Sequence, residues 1–565
     1  MKNKSINKEE FLAELKRAVN DFSEDSIDLK CRLIENASEL KLNSATQLST
    51  LHDVLLFISA YPQNERMVTL AEQELRSLTQ QIEKNKSLSE KLGGSGLAGT
   101  KTCGAFSLTL TRWLLANYPG TVFFHSFGEG VHPKEILKHG ISEMEFEMVS
   151  DEDTKPEKWL IKFLGTKKRD RMLMGLVENM INIPASSLII EQLYESMQVF
   201  VEIKPNSDLF SRTFGKIEQK KCFYHKGPLL KKFNERELID KKLPPAKKLK
   251  YSEKIKILDA SKTALALLNR ETDPITYCEP DAKGMKHSDE GFLFFELEHG
   301  LSIALFSINA ERRLPLESYI GFMMFKNGFP TSYGGAWLFE NRALIGINIF
   351  EAFRGGESAF IFAQLLRCYR QAFGATYFEV EPYQFGKNNP EGINSGAFWF
   401  YHRFGFRPVD KKLNELAEKE HQLILSHKGY RTSVQVLKKF TDSNMFANFK
   451  GQDGPMNPSN ISKFITEKIN KEFKGNRESA TNNAVQFLRR NGITRSKKNN
   501  VGLNKLSLFV FFCLDHKKLN RSLFSQLNEL FMAKSNSEFE YIRLLHLLKI
   551  EHLYNKDLKE FCLKP

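Results

Sequence analysis

The sequence has no C-x-x-C pair, no H-E-x-x-H, no G-x-S-x-G and no fixed-period repeat. Its seven cysteines, Cys31, Cys103, Cys222, Cys278, Cys368, Cys513 and Cys562, lie singly along the chain. That scatter argues against a disulfide framework and predicts a reduced compartment with mostly buried free thiols. The 13 histidines include His132/His139 and His421/His427, at spacings unlike metal-ligand pairs, so no metal site is expected. The start, MKNKSINKEEFLAELKRAV, is basic but has no apolar run behind it, unlike a secretory signal. The most apolar segment, Leu506 to Leu514, falls far short of the ~20 residues a bilayer span requires. A soluble, cytoplasmic chain is expected. Gly94-Ser95-Gly96-Leu97-Ala98-Gly99 matches G-x-G-x-x-G in letters but follows a helical tail, not a strand. It predicts a flexible hinge rather than a dinucleotide site. A P-loop is excluded as well, because Thr100 holds the lysine position and Lys101 comes one residue late.

What is present is bulk. The chain has 565 residues, 41% of them hydrophobic, with 46 Phe. It is too long for one core, and two to four domains are expected. A formal charge of +14 permits a polyanionic partner such as tRNA and favours anionic small molecules. Base composition of the genome accounts for a Lys- and Asn-rich bias equally well.

Residues 1–92 read as a helical N-terminal region. Phe11, Leu12, Leu15 and Val19, then Leu51, Val54, Leu55 and Ile58, then Leu70, Leu75 and Leu78 recur at helical spacing. Tyr61-Pro62 divides two helices. Residues 93–215 read as a mixed or helical domain with strand-like runs at Val122-Phe123-Phe124 and Val199 to Ile203. Residues 216–256 hold 14 basic against 5 acidic residues and include Pro244-Pro245; they read as a basic linker.

Residues 257–410 change character. A helix near 261–270 precedes strand-like runs at Gly291–Leu297, Leu301–Ile308, Ile320–Phe325, Ala336–Glu340 and Ala343–Phe350. A helix Ser358–Phe373 and a strand Thr376–Glu381 follow, then a polar loop, a short helix and a last strand. Residues 411–565 read as a helical C-terminal region. It contains a second basic stretch, Lys463 to Lys505, with 11 positive and 3 negative residues. That stretch reads either as a phosphate-binding surface or as the solvated face of helices.

Two motifs carry a resemblance. Asn394, Ala397, Tyr401, Gly405 and Phe406 form N-x-x-A-x-x-x-Y-x-x-x-G-F. Ala397 and Tyr401 share a helix face, Gly405 is placed to end the helix in a left-handed conformation, and Pro408 keeps it from resuming. Upstream, the strand ending at Ile349 runs into Arg354-Gly355-Gly356-Glu357-Ser358-Ala359 and then a helix. The chain resembles the GNAT superfamily of acyl-CoA-dependent N-acyltransferases, over about 150 residues, and its layout resembles large bacterial proteins with this core. The resemblance implies an α+β multidomain protein with a GNAT-like mixed sheet in the centre and mainly helical N- and C-terminal regions.

It further implies that Ile349, Arg354, Gly355, Gly356, Ser358 and Ala359 cradle the diphosphate of acyl-CoA (acetyl-CoA), the co-substrate, at a helix N-terminus. Glu357 departs from the family's glycine: its carboxylate either repels a diphosphate or, with Ser358, caps the helix. In the family the strand after this helix splays from its neighbour to admit the pantetheine arm, which here is the Thr376–Glu381 run. By the same resemblance Tyr401 is the acid for the departing thiolate; otherwise it is a buried ring beside Trp399 and Phe404. The base is open among Glu381, Glu340 and Glu351. Asn394 either orients a ligand or is the helix N-cap. The loop Pro382–Ile393, with Tyr383, Gln384, Lys387, Asn388 and Asn389, either binds an acceptor or is a solvent-exposed turn. The implied activity is acyl transfer to an amine on a small molecule or protein. The alternatives are a Fem-type transferase using aminoacyl-tRNA, which Glu357 and the basic charge suit better, and a non-catalytic binding protein.

Overall fold

Asn327 and Gly328 both sit in the left-handed region, with φ of 46° and 85°. They close a two-residue hairpin, the geometry an Asn-Gly pair favours. That hairpin joins the two longest strands of the central sheet. The computed structural model describes residues 7–37, 40, 42–150, 154–204, 210–267, 291–309, 312–450 and 454–562.

Strands β1 (Thr102–Ala105), β2 (Val122–Ser126) and β3 (Phe200–Ile203) form a small antiparallel sheet in the order β1-β3-β2. The runs at 122 and 199 are thus strands, and Thr102–Ala105 pairs with them. The main sheet has eight strands: β4 (Phe292–Glu296), β5 (Leu301–Ser307), β6 (Ser318–Lys326), β7 (Phe329–Phe339), β8 (Arg342–Ile349), β9 (Tyr377–Val380), β10 (Arg407–Pro408) and β11 (Met445–Asn448). Their order is β10-β11-β9-β8-β7-β6-β5-β4, and every neighbouring pair is antiparallel except β8/β9. The parallel pair needs a crossover, supplied by the helix Ser358–Phe373, which Gly374 ends at φ 74°. Gly405 turns at φ 84° after the helix Ala397–Arg403, and Pro408 lies on the edge strand, where its missing N–H costs no ladder bond. The fold is therefore mixed α/β with large helical regions. The last region is not helical throughout, because β11 inserts between β9 and β10. Four residues are too few to show the alternation that marks a strand.

One sheet face, carrying Ile303, Ile320, Phe322, Ala336, Leu338, Ala343 and Ile345, packs on Phe360, Ile361, Leu365 and Tyr369 of the crossover helix. The other face, with Phe306, Met323, Phe325 and Tyr333, is covered by Ile257, Leu258 and Leu265 of the helix Tyr251–Leu267. The basic stretch 216–256 is bound along the sheet. Ile217 N–H donates to Gly328 O (2.9 Å) and Lys247 N–H to Phe294 O (2.8 Å), while Arg367 donates to the carbonyls of Lys241 and Lys242. The loop Gly94–Gly99, expected as a hinge, is pinned. Arg212 donates its backbone N–H to Gly96 O and its Nε–H to Ser95 O (2.9 and 2.6 Å), and Thr213 Oγ1 accepts Ala98 N–H (3.0 Å).

The C-terminal helices extend the first face. Tyr541 donates to Leu316 O (2.9 Å), and Tyr554 donates to the Glu340 carboxyl at the β7/β8 turn. Burial lifts that carboxyl from 4.5 to about 8, against the pull of the Tyr554 hydrogen bond. A raised carboxyl binds a proton more tightly in the folded state, so its contribution is complete below pH 4.5 and lost as pH rises to about 8. Wild type is expected to lose about 2 kcal/mol relative to Glu340→Gln between pH 6 and 7.5, at ~1.4 kcal/mol per pH unit. Urea midpoints of both proteins at the two pH values measure this, and parallel shifts would refute it.

Among the described residues, six cysteines are free. Cys31, Cys368 and Cys513 are buried and Cys103 and Cys222 exposed, so thiols are less uniformly buried than expected; Cys278 lies outside the described residues. No described helix is long and apolar enough to cross a membrane, and no described cluster of His, Cys, Asp or Glu could hold a metal ion.

Candidate functional site

Strands β8 and β9 are paired through only three positions: Arg342↔Tyr377, Ala343↔Phe378 and Leu344↔Glu379. Beyond them β8 continues to Ile349 against β7 alone, while the chain leaves β9 at Glu381-Pro382 and turns away. The result is a gap at one end of the parallel pair, with free strand edge on the β8 side.

Gln384 fills that gap. Its Oε1 accepts the N–H of Ile347 (3.2 Å) and the O–H of Tyr401 (3.1 Å). Two donors from separate elements therefore converge on a single carbonyl oxygen. Tyr401 is held by edge contacts to Phe362 of the crossover helix and to Phe385, Phe400 and Phe406. It is 3% exposed, and burial raises its hydroxyl far above the ordinary range, so it remains a proton donor.

On the opposite face of the sheet the gap opens into a cleft of about 420 Å³. Register places Tyr319 beside Trp337, Trp337 beside Leu344, and Gly335 beside Gly346, all on that face. The floor is glycine for a steric reason: a Cβ on Gly335 would lie 2.3 Å from the Tyr319 ring. Tyr319 and Trp337 meet edge to face at 4.9 Å. Glu317, Glu381, Asn348 and Gln384 complete the lining. Arg342 backs the cleft, bonded to Glu317 at 3.0 Å and to Glu379 at 2.8 Å. Burial pushes the Glu317 carboxyl upward, Arg342 offsets part of this, and Glu379 and Glu381 push it further up.

The loop after β8 is arranged differently. Arg354 is exposed, donates to Ile349 O (3.0 Å) and pairs with Glu391. Gly355 turns at φ 79°, and Gly356 is buried under Phe57, whose ring would lie 3.2 Å from a Cβ at that position. Phe353 belongs to the core of the N-terminal helices. Ser358 and Ala359 are half-buried at the helix start. Glu357 makes no side-chain cap. Its carboxylate is 1% exposed, accepts Leu230 N–H (3.1 Å) and pairs with buried Lys326 at 2.7 Å. Neither expectation for this residue anticipated that partner.

Of the sequence candidates, the structure groups Tyr401 and Glu381 around the gap, with Gln384 between them. Asn394 is not the N-cap. It ends the preceding turn Pro390–Asn394 and is exposed, and Gly396, at φ 67°, precedes the Tyr401 helix. Glu340 lies under the C-terminal helices, and Glu351 is exposed on the other side of the loop, facing the N-terminal helices across a second cleft. Glu317, Tyr319 and Trp337 were missed. Their signal was Gly334-Gly335 just before the Ala336–Glu340 run, which the structure takes into β7, where glycine marks close approach to a strand surface. No family model, curated protein or solved structure matches this chain.

Proposed function

We propose that this protein is a GNAT-like transferase that moves an acyl group to an amine at the gap between β8 and β9. The observation that carries the reading is the pair of donors, Ile347 N–H and Tyr401 O–H, aimed at one carbonyl oxygen. In the free protein Gln384 supplies that oxygen. With the Gln384 side chain swung aside, an acyl carbonyl in its place would receive the same two hydrogen bonds. They would stabilise the negative charge that forms when an amine attacks. The amine would lose its proton to a carboxylate of the cleft, Glu317 or Glu381. The bond from carbon to the leaving sulfur or oxygen would break as the intermediate collapses, and the proton the carboxylate took from the amine would pass to that leaving atom, while Tyr401, kept protonated by its burial, holds its hydrogen bond to the acyl oxygen.

The leading donor is an acyl-CoA. A second reading, an aminoacyl-tRNA donor, is favoured by one observation: the Glu357–Lys326 pair and Phe57 close in the loop that would hold the CoA diphosphate. Thermal shift and product analysis with acetyl-CoA and with charged tRNA, each with an amine present, test both. A donor at 100 times its dissociation constant should add ~2.7 kcal/mol of stability. Stabilisation and acylated amine with acetyl-CoA support the first reading, and the same result with charged tRNA the second. Silence from both donors overturns the proposal.

A further inference from the structure

The acceptor cleft has a definite charge and surface. Among the described residues, its lining contains two carboxylates, Glu317 and Glu381, and no Lys, Arg or His side chain. Arg342, bonded to Glu317 behind the lining, is 5% exposed, and its guanidinium is committed to Glu317 and Glu379. Glu381 is exposed and makes no ion pair or side-chain hydrogen bond among the described residues. The Tyr319 and Trp337 rings stand over a floor of Gly334, Gly335 and Gly346, with Leu314 and Leu344 adding apolar surface. Aromatic faces attract ammonium groups, Trp most strongly, and the attraction grows when water is excluded. The volume falls in the range of small-molecule sites.

We infer that the acceptor is an alkylammonium: a primary amine on an unbranched apolar chain with no carboxylate beside it. The chain would lie on the glycine floor, the cationic end would be drawn to the aromatic walls and carboxylates, and an anionic group on the acceptor would meet the same carboxylates in repulsion. This rests on the transfer reading for its meaning as an acceptor, but the binding claim stands by itself. A free diamine and a lysine side chain of a protein share this chemistry.

Isothermal titration of the full chain with putrescine, with Nα-acetyl-lysine methylamide and with 6-aminohexanoate tests it. The first two are expected to bind, and to bind more weakly as salt is raised. The third, whose far end is anionic, should bind at least about tenfold more weakly. Glu381→Gln, a change at an exposed side chain, should weaken the first two about tenfold and leave unfolding unchanged. Tighter binding of putrescine points to a free diamine, and tighter binding of the lysine derivative to a protein lysine. Equal binding of all three, no binding of either cation, or indifference to Glu381→Gln overturns the inference. Amine binding without transfer from either donor sinks the transferase reading and leaves the cleft's specificity standing. Transfer to a different acceptor, with no binding of these cations, does the reverse.

Discussion

Lys326→Met is expected to destabilise the protein by about 3–5 kcal/mol, the usual cost of stranding one charge of a buried pair. Both side chains of the Lys326–Glu357 pair are fully buried. Lys326 also donates to His299 O at 2.7 Å, and its ammonium lies 4.5 Å from the centre of the Tyr61 ring. Burial lowers the pKa of Lys326, and Glu357 opposes the shift. With methionine in its place the Glu357 carboxylate keeps, among the described residues, only the Leu230 N–H as a hydrogen-bond donor. The double variant K326M/E357L removes both charges and should recover most of the loss, because a buried pair is worth little over well-packed apolar groups. Urea unfolding of the two single variants and the double completes the cycle. A cost below ~1 kcal/mol for Lys326→Met would mean that water reaches the pair. The pair's position gives the result wider meaning. It ties together the β6/β7 hairpin, the N-terminal helices through Tyr61, the 216–256 stretch through Leu230, and the start of the crossover helix. It also closes in the one loop on which a CoA diphosphate would depend.

Local signals in the sequence were largely faithful. The helix Ser358–Phe373 follows from its apolar spacing and the glycine after it. The Tyr61-Pro62 break falls between the helices Ala45–Ala60 and Glu65–Lys84. The strand runs of the centre recur in β4 to β9, with ends shifted by up to seven residues. What stayed hidden depends on contacts between distant segments. Lys326 and Glu357 are 31 residues apart, and nothing local in either marks a buried pair. Phe57 reaches Gly356 from the N-terminal helices, so one glycine of a loop that reads as an open phosphate cradle is covered by a distant region of the chain. The candidate bases illustrate the same limit. Glu340, Glu351 and Glu381 look alike at strand ends, yet only Glu381 lines the cleft, while Glu340 is sealed by Tyr554, more than 200 positions downstream. Glu317 entered the cleft because β6 starts beside it, a register fact rather than a motif.

Tyr401→Phe separates the two roles open to this side chain. The substitution keeps the ring and its contacts to Phe362 and Phe406 and removes only the hydroxyl. If Tyr401 is a packing residue, the loss is one hydrogen bond to Gln384, about 1 kcal/mol of stability, and nothing else. If it is the second donor to the acyl oxygen, kcat is expected to fall by about 10²–10³, the usual cost of one such donor. The KM for the amine should hold, since the cleft proposed for the acceptor is on the other face of the sheet. Gln384→Ala provides the opposite sign. It removes the side chain that occupies the gap in the free protein, so the donor no longer has to displace it, and the KM for the donor should fall while Tyr401 and Ile347 remain in place. Steady-state kinetics on both variants, with the donor that supports transfer, decides the matter. Unchanged kcat in Tyr401→Phe would reduce the hydroxyl to a structural tie, and a raised donor KM in Gln384→Ala would mean that Gln384 holds the gap open rather than filling it.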